Sequence, residues 1–284
     1  ASTMALTGVG VCFPLITLLS AFSDLFGTGG APLCSIARGR KDNKRAGEIM
    51  GTAFFMLVVT AIILTVILQI FQEPILYAFG ASSETYGYAA DYMRIYSAGT
   101  IFMMISLGMN AFINSQGFGR TGMMTIAIGA VLNIVLDPIM IFGMGMGVKG
   151  AALATIISQA VSALWVLRFL TGKKAILRLT RESIKFRPKM AGEICGLGLT
   201  GFIVNFTNSS VQLACNKMLS IFGGDLYIGI MTVLNSVRTV TSLPVQGVSN
   251  ASQPVMGFNY GAGEGIRVRQ CIRFLTVVSL VYTA

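Results

Sequence analysis

The chain has no histidine, and charged residues make up only 11% of its 284 positions. Without imidazole there is no Ser–His or Cys–His nucleophile pair and no histidine-held metal. A soluble domain carries roughly 25% charged residues, so this sequence has far too little charge to cover a water-facing surface. It reads as a polytopic membrane protein. No G-x-x-x-x-G-K-[ST] loop is present, which excludes ATP as the direct driver of work within these residues. The five cysteines, Cys12, Cys34, Cys195, Cys215 and Cys271, lie in or beside apolar runs and form no C-x-x-C pair. They read as small buried hydrophobes, not as metal ligands or disulfide partners.

What the sequence has is hydrophobic length. Apolar runs near residues 8–37, 49–70, 93–115, 123–144, 151–170, 194–222 and 228–256 are each long enough to cross a bilayer as a helix. The expected fold is therefore all-α, with seven complete transmembrane helices and an eighth that begins near 272. The first residue is not Met, and the run from Ile272 to Ala284 is shorter than the roughly 20 residues a span needs. Both ends suggest a piece of a longer chain.

A net charge of +10 would point to nucleic acid in a soluble protein. Here its distribution says otherwise. All 21 lysines and arginines except Arg94, Lys149, Lys217 and Arg238 fall in alternate connections: 37–48, 115–122, 168–189 and the segment beyond 256. This is the positive-inside pattern, which puts those connections in the cytoplasm and residue 1 outside, with no nucleic-acid partner. The 172–189 stretch is the longest basic connection and is expected to link an N-terminal lobe, 1–171, to the start of a second lobe, 190–284. An amphipathic helix on the inner membrane face is expected in its middle.

A weak internal repeat supports two lobes. At a constant spacing of 222 residues Pro32 matches Pro254, Gly39 matches Gly261, Asp42 faces Glu264 and Arg45 matches Arg267. Both copies end at the basic side, so the repeat is parallel, about an axis along the membrane normal.

Within the predicted spans only Asp24, Asp137 and Arg238 bring charge well inside the bilayer. Each costs about 2.5–3.5 kcal/mol at a helix centre and so calls for a partner or a water-filled cavity. Asp137 has the richest surroundings. Asn133 lies one turn earlier on the same helix face. Pro138 removes a hydrogen bond and frees the Ile134 carbonyl, which makes it a candidate hinge. A carboxylate, an amide oxygen and a loose carbonyl form a hard-oxygen cluster suited to Na⁺ or a proton. Asp137 lies about 10 Å from the outer end of its span and Thr155 about 6 Å into the next span from that face, so the two are expected to meet. The alternative for this cluster is a carboxylate–amide clasp that only fixes helix packing.

Several segments, in order, resemble the multidrug and toxic compound extrusion (MATE) family: Gly27–Gly39, Gln116–Met124, Leu132–Gly143, Gly147–Gln159, Leu243–Pro254 and Asn259–Gly263. The resemblance implies two parallel-repeat six-helix bundles in the full-length protein, of which this chain holds helices two to eight and the start of nine. It also implies a cation site on Asn133, Asp137 and Thr155. Relatives often have an acid where this chain has Asn208, and an arginine near Arg238 is common in them and is read as a packing contact. Asp24 is expected to line the central cleft or to pair with the absent first helix.

The expected function is a monomeric secondary antiporter in the plasma membrane of a bacterium. It would export organic, cationic and amphipathic compounds in exchange for H⁺ or Na⁺, with no cofactor and no enzymatic step. The sixteen methionines suit a cavity that accepts many shapes, and equally suit ordinary helix packing. Two alternatives stay open. One is a lipid-linked sugar flippase of the same superfamily, which would call for more cavity cations than Arg238. The other is a seven-helix receptor or an intramembrane enzyme.

Overall fold

The computed structural model describes residues 3–283; at some positions before Gly8 and between 205 and 239 only the backbone is described. Among the described residues the chain forms nine α-helices and one π-helical turn. Helix α1 (Thr3–Gly39) continues through Pro14 and Pro32. The chain then reverses at Lys41, which sits in the left-handed region with φ 63°. Asp42 caps α2 (Asn43–Ile70), its carboxylate accepting the Arg45 N–H at 2.9 Å. A short α3 (Gln72–Ala78) follows, a helix the hydropathy pattern did not indicate.

The run expected at 93–115 is two helices, α4 (Tyr86–Ala98) and α5 (Thr100–Ser115), bent by 56° at Gly99. Glycine is a usual site for such a kink. Next come α6 (Gly119–Pro138), the π-turn Ile139–Gly143 and α7 (Gly147–Thr171). Helices α8 (Pro188–Gly261) and α9 (Gly265–Thr283) complete the chain. Among the described residues four segments are individually long and apolar enough to cross a membrane, Gly8–Gly39, Asn43–Ile70, Gly119–Gly143 and Gly147–Thr171, and the bent α4–α5 pair makes a fifth.

The interior lies where α1, α2 and α5 meet. Met50, Leu57, Met104, Met109 and Phe112 are fully buried there. A side chain at Gly27 would run into the backbone of Gly108, and one at Gly30 into the ring of Phe112. Small residues let helices approach this closely, which matters in lipid because association there rests on packing, not on escape from water. Ile62, Val131, Ile134, Phe142 and Leu164 point outward as an apolar surface, as a bilayer requires.

Helix α8 departs from expectation. Two crossings, 194–222 and 228–256, were expected with a break between them, yet helical conformation is unbroken from Pro188 to Gly261. Its two ends nonetheless lie beside the same helix. Phe202 packs against Phe22 with the rings tilted and their centroids 5.6 Å apart, Gly198 abuts Leu25, and Gly29 abuts Ile194, so this end runs antiparallel to α1. At the other end Gly257 abuts Ser35 and approaches the Pro32 carbonyl, while seven residues on, Gly39 abuts Phe258 and Ala262, so that part runs parallel to α1. On a straight helix Ile194 and Phe258 would be about 96 Å apart, whereas Gly29 and Gly39 are separated by about 15 Å. The stretch therefore doubles back between Phe202 and Gly257. Gly223-Gly224, Pro244 and Pro254 are the residues that permit sharp bending, and few charges in this stretch favour a hydrated loop.

The parallel contact is reciprocal. Gly39 meets Phe258, which is position 36 plus the 222-residue repeat spacing, while Gly261, which is 39 plus that spacing, meets Ile36. Two repeats related by a two-fold axis would make such a pair of contacts, i with j and j with i.

Residues 172–187 contain no helix, which corrects the expected amphipathic helix. Ala175, Leu177 and Leu179 are buried while Ile176, Arg178 and Thr180 are exposed. This period-two alternation belongs to extended chain. The Leu177 N–H donates to the buried Gln116 Oε1 at 2.8 Å, and the Leu179 N–H to the Leu170 carbonyl at 2.8 Å. Those bonds satisfy the backbone that a helix would have satisfied internally.

The basic connections gather at one end. Arg45 pairs with Glu193 at 3.0 Å, Arg187 with Glu48 at 3.5 Å, and the Arg38 guanidinium lies 5.8 Å from the Phe258 ring centroid.

Candidate functional site

Helix α6 presents Asn133 and Asp137 one turn apart, and α7 brings Thr155 alongside. Asn133 Nδ2 donates to Asp137 Oδ1 at 3.2 Å and, at a longer 3.4 Å, to Thr155 Oγ1. The Thr155 hydroxyl donates to the Ala151 carbonyl at 2.9 Å, which fixes its rotamer and leaves its lone pairs for the cluster. The structure thus brings together the three residues that helix spacing and depth had put at one level. No lysine or arginine pairs with Asp137 among the described residues. A half-buried carboxylate with one amide donor and no cation needs a proton, a metal cation or water to balance it.

Pro138 has a larger local effect than one lost hydrogen bond. Directly after it the helix widens into the π-turn Ile139–Gly143, with the Met144 N–H donating to the Ile139 carbonyl at 2.8 Å and the Met146 N–H to the Met140 carbonyl at 3.1 Å. Single π-turns inside helices concentrate at functional sites. Gly145 and Gly147 follow with positive φ, and Gly150 packs against the Met140 backbone. Asp137 therefore sits at the last α-helical turn before a change in helix type.

Residues the sequence reading missed complete the surroundings. Tyr92 on α4 lies close to Thr155 and within electrostatic reach of Asp137. Its ring stacks on Tyr96 with centroids 5.8 Å apart. Gln159, one turn after Thr155, donates to the Tyr96 hydroxyl at 3.3 Å, and its buried Oε1 has no partner among the described residues. A cavity of about 270 Å³ opens between α5, α6 and α7, and Ser106, Thr125, Asn133, Thr155, Ser158 and Gln159 supply its polar lining. The spacing of Tyr92 with Tyr96, and of Thr155 with Gln159, was a visible one-turn signal; which helices those faces met was not.

The other candidates lie apart from this cluster. Asp24 is half-buried on α1, where its own carbonyl accepts the Thr28 hydroxyl at 2.7 Å; its carboxylate has no ion pair among the described residues. Arg238 is exposed on α8. The side chain of Asn208 lies outside the described residues.

The profile of the MatE family matches residues 1–139 and 202–284. The multidrug export protein MepA of Staphylococcus haemolyticus is 27% identical over 274 residues, covering 96% of this chain and 60% of that protein. MepA of Staphylococcus aureus is 24% identical over 289 residues, covering 98% and 63%. The chain thus spans about three-fifths of the length of these curated relatives. Among solved structures, the MATE multidrug transporter DinF-BH in complex with rhodamine 6G is 32% identical, with a TM-score of 0.89 over 98% of this chain and 63% of that one. An outward-facing multidrug resistance MATE transporter of the MOP superfamily shares the fold at a TM-score of 0.93 and 22% identity.

Proposed function

Because the chain belongs to the MatE family, we propose that it is the greater part of a secondary antiporter that exports cationic amphipathic organic compounds in exchange for H⁺ or Na⁺. The observation that carries this reading is the carboxylate of Asp137, held by Asn133 beside Thr155, without a protein cation, at the point where α6 becomes a π-turn. Loading such a carboxylate changes the net charge of the site, and a ligand with different affinity for two conformations shifts their populations. Pro138 and the π-turn supply a place for that shift to become a bend. One cation crossing 100 mV supplies about 2.3 kcal/mol, enough for roughly fifty-fold accumulation of an uncharged substrate; a monovalent cationic substrate leaving in one-for-one exchange cancels that electrical work, so its export draws on the concentration gradient of the coupling ion.

The architecture that fits this role has an N-terminal lobe over 1–171, a basic linker over 172–189 and a second lobe from 190. Seven crossings and the start of an eighth would run with the basic end in the cytoplasm. The reciprocal contact of Gly39 and Gly261 supports lobes related by an axis along the membrane normal, whose rocking alternates access.

The test is uptake of rhodamine 6G by everted proteoliposomes of the full-length protein, with Na⁺ and pH gradients imposed separately. Asp137→Asn keeps the shape of the site but cannot exchange a charge, so it should bind dye yet lose gradient-driven accumulation. Thr155→Ala, which removes one oxygen and no charge, should lower it only partly. Full accumulation by Asp137→Asn would reduce the cluster to a helix clasp.

A further inference from the structure

At the basic end of the bundle α6 begins beside the end of α7, and a second cavity of about 370 Å³ opens there. Thr121, Trp165, Arg168, Phe169, Lys173 and Lys174 line it. Arg45, Arg187 and Lys149 elsewhere in the molecule are paired with carboxylates, but Arg168, Lys173 and Lys174 have no ion pair among the described residues. The 168–189 connection contains a single acid, Glu182, which pairs with none of them. Three unneutralised cations thus share one cavity.

Two further features of the cavity favour an anion. Phe118, the residue before α6, provides no side-chain cap, so the first N–H groups of that helix have no such acceptor where Thr121 faces the cavity. A helix start of this kind attracts negative charge. Phe118 also packs edge-on against Phe169, with centroids 5.0 Å apart, and so forms a fixed wall.

The rim is apolar on the side of the hydrocarbon. Val161, Leu164 and Trp165 share the face of α7 that ends at Arg168, and Met124 continues the face of α6 that starts at Thr121. Leu164 is 64% exposed and Trp165, the only tryptophan of the chain, 37%. A tryptophan with a half-open ring beside cations marks the level of lipid headgroups. A free anion would have no use for the apolar approach, whereas a headgroup with acyl chains would use both parts.

We propose that this cavity binds the phosphate of an anionic phospholipid, whose acyl chains lie along Val161, Leu164 and Met124. Basic pockets between helices at the membrane surface recognise such headgroups. The lipid would then brace the two helices that carry Asn133, Asp137 and Thr155. That it comes from the inner leaflet rests on the orientation proposed above; binding itself does not depend on orientation or on drug export.

The experiment is native mass spectrometry of the full-length protein titrated with phosphatidylglycerol, phosphatidylcholine or inorganic phosphate, where the adduct mass identifies what is bound. The protein should retain one phosphatidylglycerol at least about tenfold more tightly than phosphatidylcholine, since each basic residue near a headgroup contributes appreciably. Millimolar inorganic phosphate should not displace it. Arg168→Gln combined with Lys173→Gln and Lys174→Gln should abolish the preference, while Arg168→Lys combined with Lys173→Arg and Lys174→Arg, which keeps the charge should the first variant fold poorly, should retain it. Arg178→Gln with Arg181→Gln, in the same connection but outside the cavity, should also retain it. The proposal is overturned if the neutralised cavity keeps the preference, if the Arg178/Arg181 variant loses it equally, if the charge-keeping variant folds but shows none, or if phosphate alone competes fully.

Discussion

Gly261→Ala tests whether the close crossing of α1 and α8 belongs to one state of a transport cycle. A Cβ at this position would overlap the Ile36 carbonyl, with the Ile36 carbonyl carbon 2.8 Å away and its Cα 3.0 Å away. These are backbone atoms, so no side-chain rotation relieves the clash and the helices must separate. Overpacking of this kind costs about 1–3 kcal/mol. If the crossing forms only when the basic end is closed, the whole of that cost falls on the closed state and shifts the open-to-closed ratio roughly 5–150-fold. Double electron–electron resonance between spin labels at Lys41 and Glu264, both exposed at this end, would report the shift as growth of a longer distance. Gly39→Ala, the reciprocal position against Phe258, should act in the same direction. An unchanged distance distribution accompanied by a lower melting temperature would refute the reasoning, because the crossing would then persist in both states.

Further outcomes follow from other parts of the structure. Pro138→Ala restores a backbone N–H next to Asp137 and should draw the π-turn back toward α-helix, leaving the protein in the membrane with severalfold slower rhodamine 6G transport; unchanged transport at equal expression would remove the hinge. Gln116→Ala leaves the buried Leu177 N–H without its acceptor and should destabilise the protein by about 1–3 kcal/mol, read as a drop in melting temperature with no change in the cation dependence of transport. A cysteine at Lys149 should react with a membrane-impermeant thiol reagent on intact cells while one at Lys174 should not; the reverse pattern would invert the proposed topology.

Different parts of the molecule were legible to different degrees. Asn133 and Asp137 could be placed together because their partnership is a property of one helix: four residues make one turn whatever surrounds it. Thr155 could be added because a short glycine turn forces consecutive spans to be neighbours and depth is counted in residues. Tyr92 could not be added, because α4 reaches the site only through the 56° bend at Gly99, and a lone glycine in an apolar run does not state a bend angle. The 172–187 stretch misled for a related reason. Its charges suited a surface helix, and the alternation of Ala175, Leu177 and Leu179 became decisive only where Gln116 offered an acceptor to the backbone.

The linear order of residues was enough to establish that this protein lies in a membrane, that its basic residues fall in alternate connections, and that Asp137 has an amide one turn away. These follow from hydropathy over about 20 residues and from charge position, quantities summed along the chain. Folding in three dimensions was needed to show that both ends of α8 return to α1, that Gly39 and Gly261 each meet the other's helix at close range, and that a π-turn follows Pro138. It was needed also to gather Arg168, Lys173 and Lys174 around one cavity without a counter-charge. Each of these depends on how far helices rotate about their axes and how closely their backbones approach, and a one-dimensional pattern fixes neither quantity.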